Sequence, residues 1–347
     1  MLYITTRSKN DAFKAPITLR RDRGEDGGSF IPFLMPSLDA DYISALACKS
    51  FGQNVADILE LLFSVKLRGW DVDMIIGRRP CTLKSMNYRI IVAELFRNVD
   101  GDLNRVIRGL SEKIYPDGEI IGEPTEWSKL AVRIALLFGL FGELLRSGQL
   151  SAGNKINIAV SVGDFSAPMA AWYARQMGLP IDTIICGCNE NGTPWKLLHR
   201  GEVDVAAEVI ETSTPECDYV IHPNLERLIC GACGQEESMR YCWSITEGGV
   251  YAPETEVFNM VRKGMFAAVV SRNRVATIIP SVYRTNQYIL NPYTALAYGA
   301  LADCRAQAGG SGLTLILAEK SPLCDGRVVA EAMGISVSEL QKRMTEA

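Results

Sequence analysis

Few side chains in this 347-residue sequence can do chemistry unaided. Two histidines, His199 and His222, are too few to complete an obvious catalytic or metal site. Cys230-Gly-Ala-Cys233 has the spacing of a redox or half-zinc pair, but no second pair stands at metal-ligand distance. With no secretion signal in view, the ten cysteines read as reduced, mostly buried thiols. The stronger candidate is a turn, Ser161-Val-Gly-Asp-Phe-Ser166. It follows a short β-branched run, Ile156–Val160, and precedes a helical stretch from about Ala167 to Met177. Gly178-Leu-Pro180 ends that helix, and Ile181–Ile185 reads as a second strand. Strand, turn, helix and strand of this size make a right-handed βαβ crossover. Its turn then lies beyond the carboxyl end of a strand and at a helix N-terminus, where backbone N–H groups hold anions.

The elements that must position this turn follow from periodicity. Residues 1–65 read as an N-terminal helical subdomain, with a short extended segment at Phe30–Leu34 and helical spacing over Asn54–Phe63. Within 66–127, Val72–Ile76 predicts a strand, Gly77–Pro80 a turn, and Met86–Phe96 a helix or buried run. A polar helix over Asp102–Lys113 and a loop over Tyr115–Pro124 follow. Ser128–Leu145 is a strongly apolar helix, interrupted by Arg133 and Glu143 and too short to span a bilayer. Beyond Lys155, strands and helices alternate. A loop covers Cys186–Pro194, helices are expected at Trp195–His199, His222–Cys230, Thr255–Lys263 and Asn291–Ala306, and strands at Val275–Val282 and Leu313–Leu317. The expected fold is α/β: an open, mostly parallel sheet with helices on both faces, the large α/β domain occupying 128–347. A net charge of −4 argues against nucleic acid as a partner. The chain opens without a charged-then-apolar leader, so cytoplasm is the expected location and no membrane partner is expected.

Several segments, in this order, resemble the threonine synthase family, lyases of fold type II that depend on pyridoxal 5′-phosphate (PLP). Tyr3-Ile-Thr-Thr-Arg7 with Asp26-Gly-Gly and Pro32 resembles the family's opening. Ser161-Val-Gly-Asp-Phe-Ser-Ala167 resembles its S-G-N-F-G-D segment, and Asn189-Glu-Asn-Gly-Thr193 the loop that follows. His222-Pro-Asn-Leu-Glu-Arg-Leu228 is similar to its N-F-E-R-L stretch, and Asn291-Pro-Tyr-Thr-Ala295 to its D-P-H-T-A segment.

That resemblance implies PLP as cofactor and a small amino acid, or its phosphorylated ester such as O-phosphohomoserine, as substrate. Lys84 falls near the lysine of the family's G-P-T-x-x-F-K-D segment and would be the Schiff-base nucleophile. Gly163, Asp164, Phe165 and Ser166 would cradle the phosphate. Glu319 would meet the pyridine nitrogen, with Ser321 nearby. Asn189, Asn191 and Thr193 would orient the substrate. The sequence also departs from the pattern. Asp164 replaces the asparagine, Ser166 the second glycine, and no S-G-D-T-G segment occurs. Between Lys84 and Gly163 too little chain remains for the family's small domain, so 66–127 reads as a reduced one. A catalytically inactive relative with a binding or assembly role is the alternative. A homodimer contact is one way to cover the apolar face formed by Leu130, Ile134, Leu137, Phe138, Leu140 and Phe141.

Overall fold

The computed structural model describes residues 1–77, 81–95, 103–115, 123–309 and 312–346. The turn expected at 78–80 and most of the loop expected at 115–124 lie outside them.

The chain opens with β1 (Leu2–Thr5), which pairs antiparallel with β2 (Phe13–Lys14) and β3 (Phe30–Pro32). A one-turn helix, α1 (Ala15–Thr18), follows β2. Next come α2 (Ala40–Ala45), α3 (Phe51–Phe63) and α4 (Gly69–Ile76). Strands β4 (Thr82–Met86) and β5 (Ile90–Glu94) form a hairpin, followed by α5 (Asn104–Ile114) and the long α6 (Glu126–Arg146). The expected βαβ unit is β6 (Ile156–Ser161), α7 (Ser166–Gln176) and β7 (Ile181–Cys188). Helix α8 (Thr193–Arg200) follows. A two-stranded ribbon of β8 (Val203–Asp204) and β9 (Val250–Tyr251) then encloses α9 (Leu225–Cys233) and α10 (Gln235–Thr246) in sequence. The chain ends with α11 (Thr255–Val261), β10 (Met265–Val269), α12 (Arg272–Asn286), α13 (Pro292–Ala308), β11 (Thr314–Ala318), α14 (Gly326–Met333) and α15 (Val337–Glu346).

The main sheet has the order β10-β7-β6-β11-β5-β4, parallel throughout except for the edge strand β4. Residues 82–94, expected within a reduced small domain, instead extend this sheet beyond β11. Three expectations change, each for a physical reason. Val72–Ile76 is helical in α4: Val72 and Ile76, one turn apart, are buried while Met74 is 75% exposed. Ile90–Glu94 is a strand, buried at all five positions because both sheet faces are covered, and periodicity cannot separate such a run from a helix. Val275–Val282 lies inside α12, with Val275, Ile279 and Val282 on its inner face and Pro280 within the helix.

Helix α6 explains its all-round apolarity within the single chain. Leu130, Ile134, Leu137, Phe138, Leu140 and Phe141 are all buried, against α3, α7 and α5, so they leave no apolar face for a partner subunit to cover. Gly139 lets the Phe51 ring approach: a Cβ there would meet it at 2.8 Å. Among the described residues, no helix is long and apolar enough to cross a membrane.

Candidate functional site

Strands β6 and β11 are neighbours, yet the chain steps from β6 to β7 on one side, whereas β11, the last strand, is reached from β10 at the far edge of the sheet. Such a reversal opens a crevice at the carboxyl ends of the two strands. A cavity of about 230 Å³ lies there. Its lining includes Ser161–Asp164 and Ser166 beyond β6, and Leu317, Glu319 and Lys320 at the end of β11. Lys129 and Arg133 reach it from α6, Asn291, Tyr293 and Thr294 from the start of α13, and Glu216 and Tyr219 from the loop before α9.

The Gly163 turn is built by two left-handed residues. Gly163 has φ +48° and Phe165 φ +69°. Space does not demand glycine at 163, since the nearest atom to an added Cβ is 3.9 Å away; the backbone conformation does. Phe165 is fully buried, so its ring offsets the left-handed strain. His222 fixes the turn from beneath: its Nδ1 donates to the Gly163 carbonyl at 2.8 Å, and its ring packs edge-on to Phe165. Burial lowers this imidazole to about 4, so it stays neutral.

Nearby side chains take one leading N–H of α7 and two of α13 at the cavity. Asp164 Oδ1 accepts from the Ser166 N–H at 2.9 Å, at the first residue of α7. Asn291 Oδ1 accepts from the Tyr293 N–H at 2.8 Å and the Thr294 N–H at 3.4 Å, capping α13. The charged groups pair in part. Arg133 is bound to Glu319, and Lys320 to Glu216 while lying 5.0 Å from the centre of the Tyr293 ring. Burial alone would lower the Arg133 guanidinium; the carboxylates of Glu319, Asp164 and Glu216 outweigh it and hold it above its ordinary value. Lys129 is half-buried and makes no hydrogen bond or ion pair among the described residues.

The structure therefore divides the residues singled out from sequence. Gly163, Asp164, Ser166 and Glu319 come together in the cavity. Phe165 turns its ring into the core. Ser321 is buried beside the cavity, its hydroxyl accepting from the Leu323 N–H at 3.2 Å. Lys84 is not brought to this cavity. It lies on the edge strand β4 and lines a separate one with Glu94, Tyr283 and Arg343. Asn189, Asn191 and Thr193 do not line the cavity either. Asn189 Nδ2 donates to Thr212, Thr214 and Asp218, and Asn191 Nδ2 to the Ile210 carbonyl at 3.0 Å and to Asp218. They brace the loop that carries Glu216 into the cavity, while Thr193 starts α8. Cys230 and Cys233 are free, their thiols pushed up by burial to about 12 and about 11.

Sequence reasoning missed Lys129, Arg133, Glu216 and Lys320. One signal was present: Lys129 and Arg133 stand four apart on an otherwise apolar helix, so both face the same way and require a polar surface. Glu216 carries no such signal, because a long irregular loop delivers it.

No family model matches the sequence. Human threonine synthase-like 1 is 26% identical over 175 residues, covering 49% of this chain and 23% of that protein. Threonine synthase of Pseudomonas aeruginosa is 24% identical over 193 residues, 54% of this chain and 39% of its own. The matched stretch thus spans about a quarter of the length of the first relative and two fifths of the second. Among solved structures, PLP-bound threonine synthase from Brucella melitensis superposes with a TM-score of 0.86 at 18% identity, covering 96% of this chain and 92% of that one. Yeast threonine synthase gives 0.84 at 17% identity, covering 99% and 94%. The chain thus shares the fold of these threonine synthases and is similar in sequence to threonine synthase and threonine synthase-like 1 over about half of its own length.

Proposed function

We propose that this chain is a threonine-synthase-like protein that binds a small amino-acid-class ligand non-covalently in the β6–β11 crevice, and is not a PLP-dependent lyase working through Lys84. The observation that carries this reading is that one N–H of the Gly163–Ser166 cradle is already taken by a carboxylate of the same turn. The Ser166 N–H, which would greet a phosphate, is held by the carboxylate of Asp164. The relative from Brucella is PLP-bound. The residues expected to hold that group here do not fit it: Lys84 lines another cavity, Asp164 sets a carboxylate against the Ser166 N–H, and Glu319 is engaged by Arg133. At about 230 Å³ the cavity is also smaller than the roughly 300–1,000 Å³ of ordinary cofactor and drug-sized sites. It suits one small polar molecule.

The test is an absorbance scan of the purified protein during titration with PLP, together with calorimetry against small amino acids. Heat from an amino acid without a protein-bound PLP band is the expected result. A PLP band that Lys84→Ala abolishes would overturn the reading. A second reading is favoured by one observation, the amine of Lys129 at the cavity, which has no side-chain partner among the described residues: that lysine would hold PLP, and PLP would supply the carbanion-stabilising chemistry. A band that survives Lys84→Ala and disappears in Lys129→Ala would select it.

A further inference from the structure

The opposite end of the main sheet carries two adjoining cavities. Both lie at the amino ends of β5, β6 and β11, roughly 17 Å of strand away from the crevice. The first, of about 470 Å³, is aromatic and apolar: Tyr88, Tyr298, Ile90 and Leu301 line it, with Arg89 and Arg305. The second, of about 340 Å³, is polar, lined by Gln149, Ser151, Asn154 and Lys155, and Arg89 lines it as well. Among the described residues no carboxylate lines either one, so their three cations stand unbalanced. Arg89 makes no hydrogen bond or ion pair there, and Lys155 has only an exposed contact of 3.6 Å to Asp182. Arg305 donates to neutral oxygens, the Gly312 carbonyl at 3.2 Å and Thr314 Oγ1 at 3.4 Å. Two buried polar atoms are left without partners among the described residues, Arg305 Nε beside the first cavity and Gln149 Oε1 beside the second.

The hairpin tip between β4 and β5 is strained to hold two of these side chains. Tyr88 and Arg89 are consecutive left-handed residues, with φ +62° and +57°, where such a turn favours Asn-Gly. Asn87 fixes the tip to the end of α12, its N–H donating to Asn286 Oδ1 at 2.9 Å and its Nδ2 to the Thr285 carbonyl at 3.3 Å. The Tyr88 side chain is left 81% exposed, so core packing does not account for a tyrosine in that conformation. Burial lowers the Arg305 guanidinium below its ordinary value, a penalty that a bound anion would relieve.

We infer that the two cavities together form a second ligand site, for a nucleoside monophosphate. The base stacks in the aromatic groove at Tyr88 and Tyr298, and the phosphate meets Arg89 and Lys155 in the polar cavity. Stacking on tyrosine tolerates any base, and a phosphate dianion is what unbalanced arginine and lysine recognise. Gln149, Ser151 and Asn154 supply donors and acceptors for the sugar hydroxyls between them. An aryl phosphate is too short to fill both cavities, and a sugar phosphate leaves the tyrosines bare.

Calorimetry on the whole chain tests this with inosine 5′-monophosphate (IMP) and three fragments: inosine (no phosphate), ribose 5-phosphate (no base) and phenyl phosphate (no sugar). IMP is expected to bind at least tenfold tighter than each fragment. Tyr88→Gly should weaken IMP tenfold or more and leave ribose 5-phosphate unchanged. It should do so without lowering Tm, since glycine accepts the left-handed backbone; a purely structural tyrosine would lower Tm instead. Arg89→Gln should weaken IMP and ribose 5-phosphate together and leave inosine unchanged. Lys129→Gln, in the crevice, should leave IMP affinity unchanged. Affinity lost in Lys129→Gln but kept in Tyr88→Gly and Arg89→Gln would overturn the inference by placing the nucleotide in the crevice. A fragment that binds as tightly as IMP would also overturn it, and so would the absence of heat from IMP at millimolar concentration.

Discussion

Replacing Asp164 by asparagine should convert an anion-rejecting turn into an anion-binding one. Asp164 Oδ1 lies 2.9 Å from the Ser166 nitrogen. A phosphate oxygen taking the same N–H would also stand about 3 Å from that nitrogen. It would therefore sit within about 4 Å of the displaced carboxylate. Two unit charges at that distance repel by about 4 kcal/mol at an effective dielectric near 20. The turn is half-exposed, so solvent screening reduces this to about 2 kcal/mol, a factor of roughly 30 in Kd. Asparagine removes the charge and keeps a carbonyl for the Ser166 N–H, so the free protein should melt within about 1 °C of the parent. Alanine removes both. Losing that bond costs about 1–2 kcal/mol, and unfolding entropy of roughly 0.7 kcal/mol/K for a chain of this length turns this into a Tm drop of about 1–3 °C. The assay is titration with inorganic phosphate, followed by calorimetry in parent and Asp164→Asn protein, at two salt concentrations. A gain between ten- and a hundredfold, smaller at high salt, is expected. Equal affinity in the two proteins would refute the argument that the carboxylate guards this turn.

Three further perturbations test the frame around it. Arg227 is fully buried, its Nε donating to the Phe30 carbonyl at 3.1 Å and its Nη1 to Asn224 at 2.5 Å, so it ties α9 to the N-terminal sheet. Arg227→Ala should lower Tm by roughly 4–7 °C through the loss of about 3–5 kcal/mol; a drop under 1 °C in a thermal melt would contradict this. Gly187→Ala places a Cβ 2.4 Å from the Leu296 carbonyl carbon, where β7 and α13 touch backbone to backbone. Overpacking of about 3 kcal/mol or more is expected, read as lost soluble yield or a melt several degrees lower. His222 is neutral when folded and titrates at about 4 instead of 6.5, because burial penalises the charged ring. The unfolded chain therefore binds the proton first, and stability present above pH 6.5 is lost as pH falls toward 4, by about 2 kcal/mol between pH 7 and 5. His222→Gln should flatten that part of the Tm-against-pH curve, and an unchanged slope would exclude His222 as its source.

The parts legible in the sequence were those that local chemistry dictates. The β6–α7–β7 unit announces itself through a β-branched run, a glycine turn and the Gly178-Leu-Pro180 stop, and the structure keeps all three within a residue or so. The same segment gave three cavity residues by number, Gly163, Asp164 and Ser166, because a turn beyond a strand end has few places to point. Lys84 lies apart from this cavity for the complementary reason. Its neighbours Thr82, Leu83 and Ser85 give no local sign that the segment is an edge strand, whose pairing with β5 is settled by tertiary contact and carries the lysine to another face of the molecule. Asn189, Asn191 and Thr193 stand apart from the cavity for a different reason. Asn189 and Asn191 do concern the cavity, but only through the loop they brace, and the carboxylate they deliver, Glu216, lies more than twenty residues downstream. Lys129 was the recoverable omission. A helix whose other inward positions are leucine, isoleucine and phenylalanine does not carry a lysine and an arginine one turn apart unless that stripe meets water or a counter-charge. Here Arg133 meets Glu319 and Lys129 meets nothing among the described residues. That inequality sets two cations one turn apart in different surroundings, one in an ion pair and one facing the cavity.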